Sequence, residues 1–152
     1  MKTIKSFLVD HTVLMPGLYV SRVDGDAVTY DLRLKRPNKE AVLENAPIHT
    51  IEHLFATYVR NSQYKDSIIY FGPMGCRTGF YFIVRDNVNH SEIISLVKEA
   101  FEFISKYDGD IPGTTERECG NYLDHDLVGA KKEASAYYDV LKDVTENDIF
   151  YT

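Results

Sequence analysis

Residues 27–34, Ala27-Val28-Thr29-Tyr30-Asp31-Leu32-Arg33-Leu34, alternate apolar and polar side chains. That is the period of a half-buried strand, and it predicts one over 27–35. Leu18-Tyr19-Val20 predicts a partner strand over 17–22, with Gly25 between two aspartates as the turn. Residues 38–47 read as loop. From Ile48 to Asn61 the apolar period lengthens to that of a helix, and Pro47 suits a first helical position, where its missing N–H goes unused. Two further strands are predicted at 68–71 and 80–85, joined by the turn Gly72-Pro73-Met74-Gly75-Cys76. Residues 91–107 form a second helix, with Ile93, Ile94, Leu96, Val97, Phe101, Phe103 and Ile104 packing broadly. After a Pro/Gly loop at 108–115, a last helix is expected over about 129–143, with Val128, Val140 and Leu141 as its packing residues. Antiparallel strands followed by longer helices predict an α+β sandwich, in one domain spanning residues 1–152.

Composition narrows the function. With 44% hydrophobic and 26% charged residues the chain can bury a core. A net charge of -6 with scattered Lys and Arg argues against nucleic-acid binding. The N-terminus has no apolar signal region, and no apolar run reaches the roughly 20 residues of a membrane span. These features predict a cytoplasmic protein whose two cysteines, Cys76 and Cys119, are free thiols rather than a disulfide.

The first helix carries the clearest chemistry. His49-Thr50-Ile51-Glu52-His53 has the form H-x-x-E-H. At about 100° per residue, His49, Glu52 and His53 share roughly a third of the helix circumference. Ile51, Leu54, Phe55 and Tyr58 fall on the other side as a core stripe. Two histidines at i and i+4 can hold one metal ion, with a glutamate beside them as base. The bland alternative is a pair of surface histidines. A third ligand is needed, and the candidates are Cys119, His125, Asp124, Asp126, His11 and several glutamates. Cys119 is chosen: it precedes Gly120, which would permit a close turn, and a thiolate binds zinc or ferrous iron strongly. Cys119 read simply as a small buried hydrophobe is the alternative. Three protein ligands leave one position open, the form of a catalytic site. Cys76, on a Gly-rich turn beside Arg77, reads as an acid–base thiol of lowered pKa, a fourth ligand, or an inert thiol.

Together these segments resemble the S-ribosylhomocysteine lyase (LuxS) family. The resemblance is carried by Ser6-Phe7 with Asp10-His11, Asp31-Leu32-Arg33 with Pro37-Asn38-Lys39, His49-Thr50-Ile51-Glu52-His53-Leu54, the run from Pro73 to Tyr81, and Cys119-Gly120 with His125-Asp126-Leu127 and Gly129-Ala130-Lys131. It implies an antiparallel sheet packed against helices, related in form to the H-x-x-E-H metallopeptidase fold. It implies a homodimer with active sites near the interface, and a metal held by His49, His53 and Cys119. Fe(II) is the usual ion in the family, Zn(II) a stable substitute, and no organic cofactor is used. Glu52 and Cys76 resemble the acid–base pair. Ser6, His11 and Arg33 resemble residues that reach the substrate ribose from the partner subunit, and Arg60 matches a substrate-side arginine. The implied reaction releases L-homocysteine and 4,5-dihydroxy-2,3-pentanedione, the autoinducer-2 precursor. One departure stands out: Tyr70 occupies the position, six before Cys76, where the family commonly has an Asp for the amino group.

Two competing readings remain. H-x-x-E-H is also the motif of a metallopeptidase class, but that class takes a downstream Glu as third ligand and is normally much longer. A metal-binding module without catalysis would leave Glu52 with no role.

Overall fold

The computed structural model describes residues 1–152. The alternating segments form β1 (Gly17–Asp24), β2 (Ala27–Arg33), β3 (Ile68–Pro73) and β4 (Gly79–Arg85). They pair antiparallel in one sheet, in the order β1-β2-β4-β3. Gly25, at φ +59°, makes the turn between β1 and β2. Three helices complete an α+β domain: α1 (Asn45–Arg60), α2 (His90–Ser105) and α3 (Leu127–Leu141). No helix is long and apolar enough to cross a membrane.

The core lies between the helices and one face of the sheet. Leu18, Val28, Tyr30, Leu32, Phe80, Phe82 and Val84 supply the sheet side, as the two-residue period requires. Phe55 of α1 anchors the helical side. Its ring stacks on Phe71 at 3.9 Å between centroids and meets Phe82 edge-on at 5.0 Å. Ile51, Leu54 and Phe55 are buried as the helical stripe predicted, which turns His49, Glu52 and His53 away from the centre of the core.

Two expectations need correction. Pro47 is the third residue of α1 rather than the first. It still sits among the opening N–H positions that have no partner within the helix, so the reason for tolerating proline there survives. Val128 does not pack: it is 81% exposed, and Val140 also faces outward. Ala130, Ala134, Tyr137 and Leu141 carry the buried face of α3 instead. Alanine at two of these four positions leaves the stripe without a strong aliphatic pattern.

The polar face of β2 departs from a simple half-buried strand. Asp31 is 0% exposed, and Arg33 is buried beside it. The Arg33 guanidinium donates to both Asp31 carboxylate oxygens, at 3.1 and 2.7 Å. The C-terminal segment covers the pair. Val20 N–H donates to the Ile149 carbonyl, and the Tyr151 ring stacks on Tyr19. The Tyr151 hydroxyl then donates to Asp31 at 2.6 Å.

Candidate metal centre

His49 and His53 stand one turn apart on α1, and their rings meet at 4.6 Å between centroids. Each is oriented from behind by a loop carbonyl. His49 Nδ1–H donates to the Asp124 carbonyl at 2.8 Å, and His53 Nδ1–H donates to the Pro112 carbonyl at 2.8 Å. A carbonyl only accepts, so in the neutral ring each Nε2 is left with a bare lone pair. Cys119 Sγ lies 3.4 Å from His49 Nε2 and 3.9 Å from His53 Nε2. Tetrahedral Zn–N and Zn–S bonds would separate such ligand atoms by roughly 3.3–3.6 Å. The three groups therefore fit a divalent ion in chemistry, tautomer and spacing.

A fourth group joins them. His49, His53, Cys119 and His125 place ligand atoms within 4.8 Å of one another. The His125 ring stacks on His49 at 4.0 Å, and its Nε2 is buried without a partner. Burial, and then the rings of His49 and His53, hold its pKa below the ordinary imidazole value, with Asp124 opposing. His125 was among the candidate ligands on sequence, passed over in favour of Cys119; the fold brings both to the site.

The loop that supplies Pro112 and Cys119 explains the local sequence. Gly113, at φ +71°, lets the chain turn directly after Pro112; a Cβ there would lie 3.2 Å from His53 Nδ1. Gly120, expected to provide the close turn, has neither positive φ nor a crowding neighbour. Cys119 is held instead by its own N–H on the Thr115 carbonyl and by Asn121 N–H on its sulfur.

Glu52 opens onto a cleft of about 450 Å³ beside the cluster, lined also by His53, Thr57, Tyr70, Phe71 and Gly113. Tyr70, the departure from the family pattern, is thus at the site and 51% exposed. The Arg60 guanidinium donates to the Ile69 carbonyl next to it, at 3.3 Å.

Cys76 belongs to a second group. Both cysteines are free, and Cys76 is exposed. Its Sγ lies 3.1 Å from Thr78 Oγ1, which accepts from Arg33 at 2.8 Å. Burial works against the Arg33 charge, but Asp31, Cys76 and Tyr151 more than offset it and raise its pKa. The Arg77 guanidinium, expected to act on the thiol, donates to the Leu43 carbonyl at 3.4 Å. Cys76 does not line the cleft beside Glu52.

Ser6 and His11 remain apart from both groups. Ser6 is exposed in a 3-10 turn over Lys5–Phe7, and His11 Nδ1–H donates to the Val9 carbonyl at 2.8 Å. Neither bonds to the metal cluster or to Cys76.

Residues 4–148 match the family model described as S-Ribosylhomocysteinase (LuxS). Proteins named S-ribosylhomocysteine lyase match over 99% of this chain. Those of Finegoldia magna and Borrelia garinii subsp. bavariensis are 47% identical, with 99% of each covered. That of Phocaeicola vulgatus is 45% identical, with 98% covered. Matches of this identity along the whole length, together with the cluster on the H-x-x-E-H helix, mean that the chain belongs to the S-ribosylhomocysteinase (LuxS) family.

Proposed function

We propose that this chain is a lyase that cleaves S-ribosyl-L-homocysteine to L-homocysteine and 4,5-dihydroxy-2,3-pentanedione, with one divalent ion, Fe(II) or Zn(II), held by His49, His53 and Cys119. The observation that carries the reading is the cluster itself: two Nε2 lone pairs, freed by the carbonyls of Asp124 and Pro112, converge with one thiol beside the Glu52 cleft.

The bond to be broken joins sulfur to the fifth carbon of the ribose, where no proton is acidic. Homocysteine can leave only by β-elimination, once a carbonyl stands on the third carbon. The open sugar has its carbonyl on the first. Two successive shifts must move it, each through an enediolate, and each takes a proton from one carbon and returns it to the next. A bound divalent ion would supply Lewis acidity toward the oxygens that gather negative charge. Glu52 and Cys76 are the two proton carriers in this reading. The Glu52 carboxylate lies on the metal helix at the cleft, and Cys76 contributes a thiol whose neighbour Thr78 is fixed by buried Arg33. The internal shifts balance without a redox cofactor.

Tyr70 and Arg60 flank the cleft end where the amino-acid part of the substrate would lie. Tyr70 offers a neutral hydroxyl or a ring face, so Arg60 is the one charged anchor in this reading. Ser6 and His11 would reach the ribose from the partner in a homodimer. Support comes from the N-terminal segment, which exposes Ile4, Phe7, Leu8 and Val13 and makes only local bonds. The Arg33–Thr78–Cys76 chain adds a constraint: a partner that contributed Arg33 would bring Cys76 with it. A reducing cytoplasm, where both thiols persist, suits this chemistry.

The test is turnover in heavy water. The metal-loaded protein should release free thiol from S-ribosylhomocysteine and put carbon-bound deuterium into the pentanedione. Thiol release without deuterium would reject the proton shifts. No thiol release would reject the substrate.

A further inference from the structure

Three imidazoles meet at the metal cluster, and each is held at Nδ1. Their partners differ in kind. His49 and His53 face carbonyls, which leaves Nε2 bare. His125 Nδ1 faces the hydroxyl of Thr50 at 3.0 Å. Thr50 is the residue after His49 and is buried on α1. Its oxygen already accepts the backbone N–H of Asp126 at 2.9 Å. The hydroxyl makes no bond to another acceptor, so donation to His125 Nδ1 is the arrangement that satisfies its proton. That arrangement is the opposite tautomer, with the hydrogen on Nε2.

In it the Nε2–H is buried and has no partner within the protein. Proteins rarely leave such a donor unsatisfied, and at a catalytic site what binds there can complete it. His125 is also poorly suited to ligate. To coordinate through Nε2 it would have to move the proton to Nδ1, and the Thr50 hydroxyl would then have no acceptor. With Nδ1 committed to Thr50, Nε2 is the nitrogen left for the shared space of the cluster.

We propose that His125 is not a metal ligand but a neutral hydrogen-bond donor, whose Nε2–H binds the substrate oxygen that gains negative charge in the enediolate, with Thr50 as the positioning residue that sets its tautomer. The proposal rests on the lyase reading above. No proton is transferred: the N–H bond shortens its contact as charge develops and is intact at the end. Such a preorganised donor acts more strongly in the transition state than on the neutral substrate.

Nitrogen-15 spectra of the histidine rings in the zinc-loaded protein test the tautomers directly. The expected result is Nε2–H for His125 and Nδ1–H for His49 and His53. Thr50→Ser keeps the His125 tautomer and Thr50→Val loses it. A second arm uses His125 variants. His125→Ala should keep the Co(II) absorption spectrum of the wild type while kcat falls about 10²-fold with KM nearly unchanged. His125→Gln, which retains an amide N–H, should recover at least about tenfold of that loss. A coordinated Nε2 in the nitrogen spectra, or an altered Co(II) spectrum in His125→Ala, would make His125 a ligand and overturn the proposal. Unchanged kcat in His125→Ala would overturn the donor role. If the wild type itself releases no thiol, the lyase reading fails and the enediolate role falls with it, whatever the tautomers prove to be.

Discussion

His49, His53 and Cys119 are each tied down by a bond from outside the cluster, to Asp124, Pro112 and Asn121 respectively. Ser6 and His11 sit on a segment whose bonds reach no farther than neighbouring residues, with Phe7 and Leu8 open to solvent. Both regions belong to the one proposed reaction, yet only the first is held by bonds that reach distant parts of the chain. Ligands held from outside are preorganised for an ion, which binds a few atoms at fixed distances. Ser6 and His11, proposed to touch only the sugar, can be placed later, by whatever surface covers them. The Asp31–Arg33–Thr78–Cys76 group lies between these extremes: it is fixed at its buried end and exposed at its thiol.

The sharpest way to break this contrast is to remove one ligand. Cys119→Ala should lower ion affinity by more than the roughly 10–100-fold that loss of an outer partner costs, read as metal per chain after dialysis. Full retention of the ion would show that the cluster does not bind through its thiol. Next in size is the buried ion pair. Asp31→Asn leaves the Arg33 charge uncompensated and should cost about 3–5 kcal/mol in urea unfolding, whereas Tyr151→Phe should cost about 1.5 kcal/mol. Equal small losses would mean that the pair is better solvated than its burial implies.

The two proposed proton carriers come third. Glu52→Gln and Cys76→Ala should retain the ion and lose turnover by at least about 10²-fold. Either variant with near wild-type turnover would lose its role. The smallest effect tests the N-terminal segment. Mixing inactive His11→Ala with inactive Glu52→Gln should restore about a quarter of full activity, because half the dimers are mixed and one of their two sites is intact. If the subunits exchange and nothing returns, the sites are not shared.

What the sequence disclosed follows the same division. His49, Glu52 and His53 were legible because a helix places i, i+3 and i+4 on one face wherever it sits. Cys119 and His125 arrive on a loop more than sixty residues later, and spacing along a chain does not choose between two such candidates. Thr50 carries no such signal: it lies between the histidines and the core stripe, and its bonds depend on where Asp126 and His125 come to rest. The alternation of β2 predicted its apolar face correctly, but a strand's own period says nothing about what covers its other side. The return of the C-terminal segment, which sets the Tyr151 hydroxyl on Asp31, comes from the far end of the chain. Val128 failed for a related reason, since size suggested packing where Ala130 and Ala134 gave α3 the close approach.

The central claim is that a pre-formed cluster in each chain holds one ion on which thioether cleavage depends. Its most direct test is to titrate metal-free protein with Fe(II) or Co(II) while following thiol release from S-ribosylhomocysteine. The account predicts no release without ion, and a linear rise that breaks at one equivalent per chain. Undiminished release from the metal-free protein, or none at any loading, would contradict it.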